Sequence, residues 1–288
     1  MKVEIGYQHP HTRWSVFHVF KKLHEKIKEK FNYFEFDYIE FGSKYNGEPG
    51  GIYSPHLMTI KNKDTEKYFV ISYWDHMIDL TYSVHGWKFD LCKGIISSCG
   101  NKYNIDNIPS SYLCYDLIFD EIHNTAKHMS EKENNDLMFR GYLYGDRLNL
   151  KNHGILNITD KKNFPIENYF NELTNNRINL SLNGAAEICN RDMEILSSRS
   201  VLLRPLLSQK FHNELVPDYH YISFEYNSNP KIQTEIILDK FNSIKDDIEL
   251  LTFISENGYK WFKENGTVES NVNILNEILN ENKIKELL

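Results

Sequence analysis

The stretch Asn179–Pro205, NLSLNGAAEICNRDMEILSSRSVLLRP, gathers the residues best suited to hold an anion. Asn183-Gly184-Ala185-Ala186 is a turn of small residues, which lets a ligand approach the main chain. Asn190 follows at the expected N-cap of a helix, where the first N–H groups lack partners and carry partial positive charge. Arg191 adds a guanidinium that does not titrate and offers a planar fork of donors. Such a place suits a pyrophosphate; the spacing also fits a plain strand–turn–helix with a surface arginine. Glu194, one turn further, is placed to take ribose hydroxyls or to stand as a solvated charge.

Three other groups carry reactive or ligand-binding side chains. Arg140 lies inside an apolar run beside Gly141, with Arg147 seven residues later, and two cations at a strand end could grip phosphates or pair on the surface. Asp75 follows the apolar run Tyr68–Tyr73, where a carboxylate is held rigidly over a cleft and can serve as a general base. It is equally well placed to cap a helix starting at Met77. His9, His11 and Arg13 share a loop behind the first strand and are candidate sugar or acceptor contacts. The chain has no Asp-x-Asp, and no metal site is read from it.

The elements that must position these residues follow from hydrophobic periodicity. Val3–Tyr7, Tyr33–Phe41, Leu57–Lys61, Tyr68–Tyr73 and Ile95–Cys99 read as strands, and Trp14–Lys30 as a helix with Phe17, Phe20, Leu23 and Ile27 on one face. Tyr112–Phe119 fits a strand or a short helix. The polar run His123–Asp136 lacks any period and reads as a linker. Beyond it come strands at Leu137–Leu143, Ile155–Thr159, Leu180–Leu182, Ser200–Leu203 and His220–Phe224. Helices are expected between them up to Lys151, from Pro165 to Asn175 and from about Asn190. Lys231–Lys245, Asp246–Glu264 and Val268–Leu288 are the closing helices. Strands alternating with helices on both sides of a linker imply two α/β domains, 1–130 and 131–266, with 267–288 as a terminal helix that crosses back to the first.

Composition is that of a globular chain: 41% hydrophobic, 25% charged and 14% aromatic over 288 residues. A formal net charge of −7 argues against nucleic acid as the partner of the whole molecule. Four cysteines without CxxC spacing give neither a zinc site nor a disulfide framework, and no segment reaches the ~18 apolar residues of a membrane span. A cytoplasmic protein is expected.

Phe139-Arg140-Gly141 with Arg147 downstream resembles the Phe-Arg-Gly…Arg segment of the capsule-associated and protein O-glucosyltransferase-like family. Asn183-Gly184-Ala185-Ala186…Arg191, then Leu196 and Ser200-Val201-Leu202, is similar to that family's Gly-x-x-x-Ser-x-Arg…Leu…Gly-Ser-x-Val block. His220-Tyr221-Ile222, with Gly258 and Trp261-Phe262 in the closing helices, matches in order and spacing. The likeness covers Leu137 to about Leu279, with Cys189 in place of a family serine and Arg199 in place of a family glycine. It implies the GT-B fold, two facing Rossmann-like α/β domains with closing C-terminal helices. It also implies inverting transfer of a sugar from a nucleotide-diphosphate donor, UDP-glucose or UDP-xylose, to a hydroxyl of a glycan or protein. Asp75 would be the base, and Arg140, Arg147, Gly184, Ala185, Asn190, Arg191 and Glu194 would bind the donor. The nucleotide-sugar is then a co-substrate, with no separate cofactor. A nucleotide- or glycan-binding module without catalysis, and a sugar-nucleotide epimerase, fit the same residues.

Overall fold

The computed structural model describes residues 1–7, 15–40, 57–73, 91–97, 124–141, 143, 145–152, 158–160, 165–184, 187–208 and 212–279. Asp75, His9, His11, Arg13, Ala185 and the segment Tyr112–Phe119 lie outside them. The first elements are β1 (Lys2–Tyr7), α1 (Ser15–Lys30), β2 (Glu35–Glu40), β3 (Leu57–Asn62), β4 (Tyr68–Ser72) and β5 (Cys92–Ser97). Next come β6 (Phe139–Gly141), α2 (Asp146–Asn152), β7 (Ile158–Asp160), α3 (Ile166–Asn175), β8 (Ile178–Leu180), α4 (Asn190–Ser197) and β9 (Val201–Pro205). The last are β10 (Ile222–Phe224), α5 (Pro230–Ile244), α6 (Ile248–Asn265) and α7 (Val268–Ile278).

The chain divides into two compact units. Unit 1 takes Met1–Leu117, Gln209–Asn213 and Asn265–Leu288; unit 2 takes Ile118–Ser208 and Glu214–Glu264.

Unit 1 is a mixed sheet in the order β2-β1-β3-β4-β5. β2 runs parallel to β1 and β5 to β4, while β3 is antiparallel to both its neighbours. The β3–β4 hairpin closes on Asn62, whose Oδ1 accepts the N–H groups of Asp64 (2.8 Å) and Thr65 (3.2 Å). α1 turns Phe20, Leu23 and Ile27 inward and ends on Lys28 and Lys30, where cations complement the helix dipole. α7 packs against α1. Its Val268, Val272 and Leu275, with Leu279 just beyond, recur at helical spacing and share one core with Ile5, Phe20 and Ile71. Burying side chains of this size contributes about 1.5–3 kcal/mol each. Thr267 caps α7 by accepting the Ser270 N–H (3.1 Å), and Tyr73, just past β4, donates to Asn271 Oδ1 on α7 (2.6 Å).

Unit 2 is built on parallel pairs, β6 with β7, β8 with β9 and β9 with β10. The β6–β7 pair joins the other three strands through a parallel bridge, Met138↔Asn179, in which Leu180 N–H donates to Met138 O (2.9 Å). The resulting order is β7-β6-β8-β9-β10, so the chain winds outward in opposite directions from β6. α2 packs against α5, and α4 against β9.

Two expectations are corrected here. The polar run 123–136 is not a free linker: its described part is built into unit 2, and Lys132 is 2% exposed. The Lys132 Nζ donates to Thr174 O (2.7 Å), Ser198 O (3.1 Å) and Ser200 Oγ (3.1 Å), and burial pulls its pKa down to about 7. The N-cap of α4 is Cys189, extended at φ −135°, with Asn190 as the first helical residue.

Candidate functional site

The carboxyl ends of β8, β9 and β10 border a cleft inside unit 2. Asp146, Asn149, Leu182, Asn183, Tyr226 and Gln233 are among the residues lining it. Its location follows from the winding. Where the chain leaves β6 and β8 in opposite directions, the loops diverge and open a crevice at the strand ends, the usual ligand position in open α/β sheets.

Both loops that form the walls are pinned. Arg147, on α2, points at the turn behind β8. Its Nε donates to Asn183 O (3.1 Å) and its Nη2 to Leu182 O (2.7 Å). Arg204, on β9 and 1% exposed, donates from Nη2 to Asn183 Oδ1 (3.3 Å) and to Glu187 O (2.8 Å). The loop behind β10 is held by Gln233, whose Oε1 accepts Asn227 N–H (2.5 Å) and whose Nε2 donates to Glu225 O (3.4 Å). Tyr226 OH crosses to Asp146 Oδ2 (2.6 Å), linking the mouth of the cleft to the start of α2. That hydrogen bond to the carboxylate, with some burial, raises the Tyr226 pKa. Main-chain and side-chain donors and acceptors are thus fixed before a ligand arrives.

The arginines expected to grip a diphosphate lie behind these walls. Arg140 is 9% exposed and makes a bidentate pair with Glu172, Nε to Oε2 at 2.5 Å and Nη2 to Oε1 at 2.7 Å. Arg191 is 5% exposed and donates to the carbonyls of Leu180 (Nε, 2.7 Å), Met138 (Nη2, 3.4 Å) and Arg140 (Nη1). Its guanidinium lies 4.7 Å from the Phe139 ring centroid. Those carbonyls belong to the neighbourhood of the β6–β8 bridge, so Arg191 ties the two halves of the sheet together. Glu194 accepts the Tyr169 hydroxyl, and Arg191 Nη1 reaches the same oxygen at 3.3 Å. Burial first, and the Glu194 charge second, raise the Tyr169 pKa well above its ordinary value. The structure therefore brings Arg140, Arg191 and Glu194 into one buried network, with Arg147 and half-buried Gly184 nearer the cleft.

The start of α4 is likewise satisfied from within. Asp192 Oδ2 accepts Cys189 N–H (2.7 Å), and Asp192 Oδ1 accepts Arg204 Nη1 (2.8 Å) in a pair exposed 0% and 1%. Burial, helped by the Asp192 charge, pushes the Cys189 thiol up to about 11, so it stays protonated. Arg199, where the resemblance has a glycine, adopts φ 54°, the left-handed region in which a side chain is strained. Its guanidinium stacks 4.3 Å from the Tyr259 ring centroid, which offsets part of that cost.

Sequence reasoning did not find Arg204, Asp146 or Tyr226. Arg204 carried a usable signal, a charge within the apolar strand VLLRP, which is tolerated only with a buried partner. Asp146 and Tyr226 are 80 residues apart and gave none. Among the described residues there is no group of three or more His, Cys, Asp or Glu placed to hold a metal ion, and no helix long and apolar enough to cross a membrane.

No family model and no curated protein matches the chain. Among solved structures it is similar to an alpha-glucosyltransferase in complex with UDP and a 13-mer DNA containing a central A:G mismatch. Identity is 9% and the TM-score 0.45, over 75% of this chain and 71% of that chain. A likeness of that size does not fix a shared activity.

Proposed function

We propose that unit 2 binds the nucleoside end of a nucleotide-diphosphate sugar and that the chain is a glycosyltransferase acting on a hydroxyl of a glycan or protein. The observation that carries this reading is a cleft with pinned walls at the carboxyl ends of parallel strands, beside the point where strand order reverses. The motif resemblance over Leu137–Leu279 supports it. Among the described residues the cleft lining offers carboxamides, a carboxylate and a phenol, which suit a base and ribose.

The diphosphate would extend over the Gly184 turn and take main-chain N–H groups of that turn. Arg140, Arg147 and Arg191 contribute by holding β6, α2 and the Asn183 turn in place. Asp75 remains the proposed base, removing the acceptor proton as the new glycosidic bond forms with inversion. GT-B architecture, metal independence and a UDP-sugar donor belong to the same proposal. A thermal-shift screen of nucleotides and UDP-sugars tests it, because a ligand of the folded state raises the melting temperature by mass action. Asp75→Asn should then abolish transfer while retaining donor affinity.

A second reading, a nucleotide-binding unit without transfer, is favoured by one observation. Arg140 and Arg191 are already engaged, by Glu172 and by main-chain carbonyls, so neither guanidinium faces a leaving group. That reading requires donor uptake without turnover for any acceptor.

A further inference from the structure

Asp146 and Tyr226 stand on segments that follow β6 and β10, and in the sheet those strands have β8 and β9 between them. Leu182, Asn183 and Pro205, at or just past the ends of β8 and β9, line the same cleft as Asp146 and Tyr226. The 2.6 Å hydrogen bond from Tyr226 OH to Asp146 Oδ2 therefore closes across it. The main chain is held on both sides. Gln233, 3% exposed, binds the residues before and after Tyr226, at Glu225 O and Asn227 N–H. Arg147, next to Asp146, donates to Leu182 O and Asn183 O. The freedom left is in the Tyr226 side chain, which is 52% exposed. Its hydroxyl stays a donor, because the bond to Asp146, with some burial, raises its pKa. Asp146 presents acceptors whichever way its carboxylate turns, about four lone-pair positions in all, and the phenol takes one of them.

We infer that Asp146 receives the ribose hydroxyls of the ligand and that Tyr226 is its built-in competitor, a side-chain latch whose phenol occupies the carboxylate until a ligand hydroxyl displaces it. This rests on the nucleoside reading of the cleft and adds a control to it. Exchanging one hydroxyl for another leaves the count of charge-assisted bonds at Asp146 unchanged, so the ligand gains only its surplus over the phenol. The released Tyr226 hydroxyl is then taken by water. A ligand that brings no hydroxyl to Asp146 leaves the latch shut and is indifferent to it.

The test is isothermal calorimetry of the full chain with UDP and with its dideoxy analogue, which lacks both ribose hydroxyls. The proteins are the wild type, Tyr226→Phe, Asp146→Ala and the double variant. Both side chains are exposed, so neither change opens the core. Tyr226→Phe keeps the ring and removes the competing hydroxyl, and it should bind UDP about threefold to tenfold more tightly than the wild type. That gain should vanish with the dideoxy analogue, and it should vanish for UDP when Tyr226→Phe is made in the Asp146→Ala background. UDP affinity that Tyr226→Phe leaves unchanged or weakens overturns the inference and leaves the nucleoside cleft standing. So does a gain that persists without the ribose hydroxyls or without Asp146. No uptake of UDP by the wild type or by Tyr226→Phe overturns the cleft reading, and this inference with it.

Discussion

Arg204 and Asp192 form an ion pair with no access to solvent, Nη1 to Oδ1 at 2.8 Å, that also ties β9 to the first turn of α4. The pair serves three structures at once: the helix cap at Cys189, the turn at Asn183 and the strand that carries Arg204. Its stability contribution lies less in the attraction than in the cost of leaving either charge alone.

Asp192→Asn should therefore destabilise unit 2 by about 3–5 kcal/mol, since it strands a buried guanidinium. Replacing both residues with apolar side chains, Asp192→Leu with Arg204→Met, should cost far less. Urea unfolding of the single and double variants reads the difference. Equal losses in the two would contradict a pair whose value is mutual neutralisation.

Gly258, on α6, packs directly against the main chain at His220. A Cβ there would stand 2.5 Å from His220 O and 2.9 Å from Leu196 Cδ2. The carbonyl is backbone and cannot swing aside, so α6 would have to shift away from the strand end. Gly258→Ala is expected to lose about 1–3 kcal/mol in thermal or chemical unfolding, against a gain for most Gly→Ala changes within helices. An unchanged or raised melting temperature would show that α6 is free to move.

His220 predicts an acid-side slope. Its Nδ1 accepts Val216 N–H (2.9 Å), and burial pulls its pKa from 6.5 to about 4. Between those values the unfolded chain binds the proton that the folded chain refuses, so stability rises with pH from about 4 to 6.5 and is lost on acidification. His220→Asn keeps an acceptor for the Val216 N–H and removes the titration. The melting temperature of this variant should depend less steeply on pH across that window; a slope equal to the wild type's would assign the acid sensitivity to other groups.

Metal dependence separates two ways of holding a leaving diphosphate. The proposed mechanism uses main-chain N–H groups, so transfer should survive EDTA at full rate. A loss of activity restored by Mn²⁺ or Mg²⁺ would replace that account with a metal-held donor.

Much of the fold was legible from hydrophobic pattern. β1, β3, β4, α1, α3, α5 and α6 begin and end within about two residues of their expected bounds, because each has strong periodicity or a Pro or Asn at its start. Short strands were read less well. β6 and β8 are three residues each, and the expected Leu180–Leu182 strand sits at Ile178–Leu180. A run of that length has no measurable period, and its register is set by the Met138↔Asn179 bridge, a long-range fact.

The site was less legible than the fold. Arg140 and Arg191 were chosen because cations beside small residues suit phosphates, but which atoms a guanidinium faces depends on partners far away in sequence. Glu172 is 32 residues from Arg140, and Met138 is 53 from Arg191. Arg199 shows the converse. Its left-handed φ is hidden by its side chain, and only the glycine at the matching place in the resemblance marks the turn.

Uptake of UDP by the cleft of unit 2 tests the central claim most directly. Ser228 is an exposed lining residue, so Ser228→Trp should fill the cleft without disturbing the core. In calorimetry the wild type should bind UDP, and Ser228→Trp, at an unchanged melting temperature, should show no heat of binding. Equal affinity in the two proteins, or no binding by the wild type, would contradict a nucleoside site there.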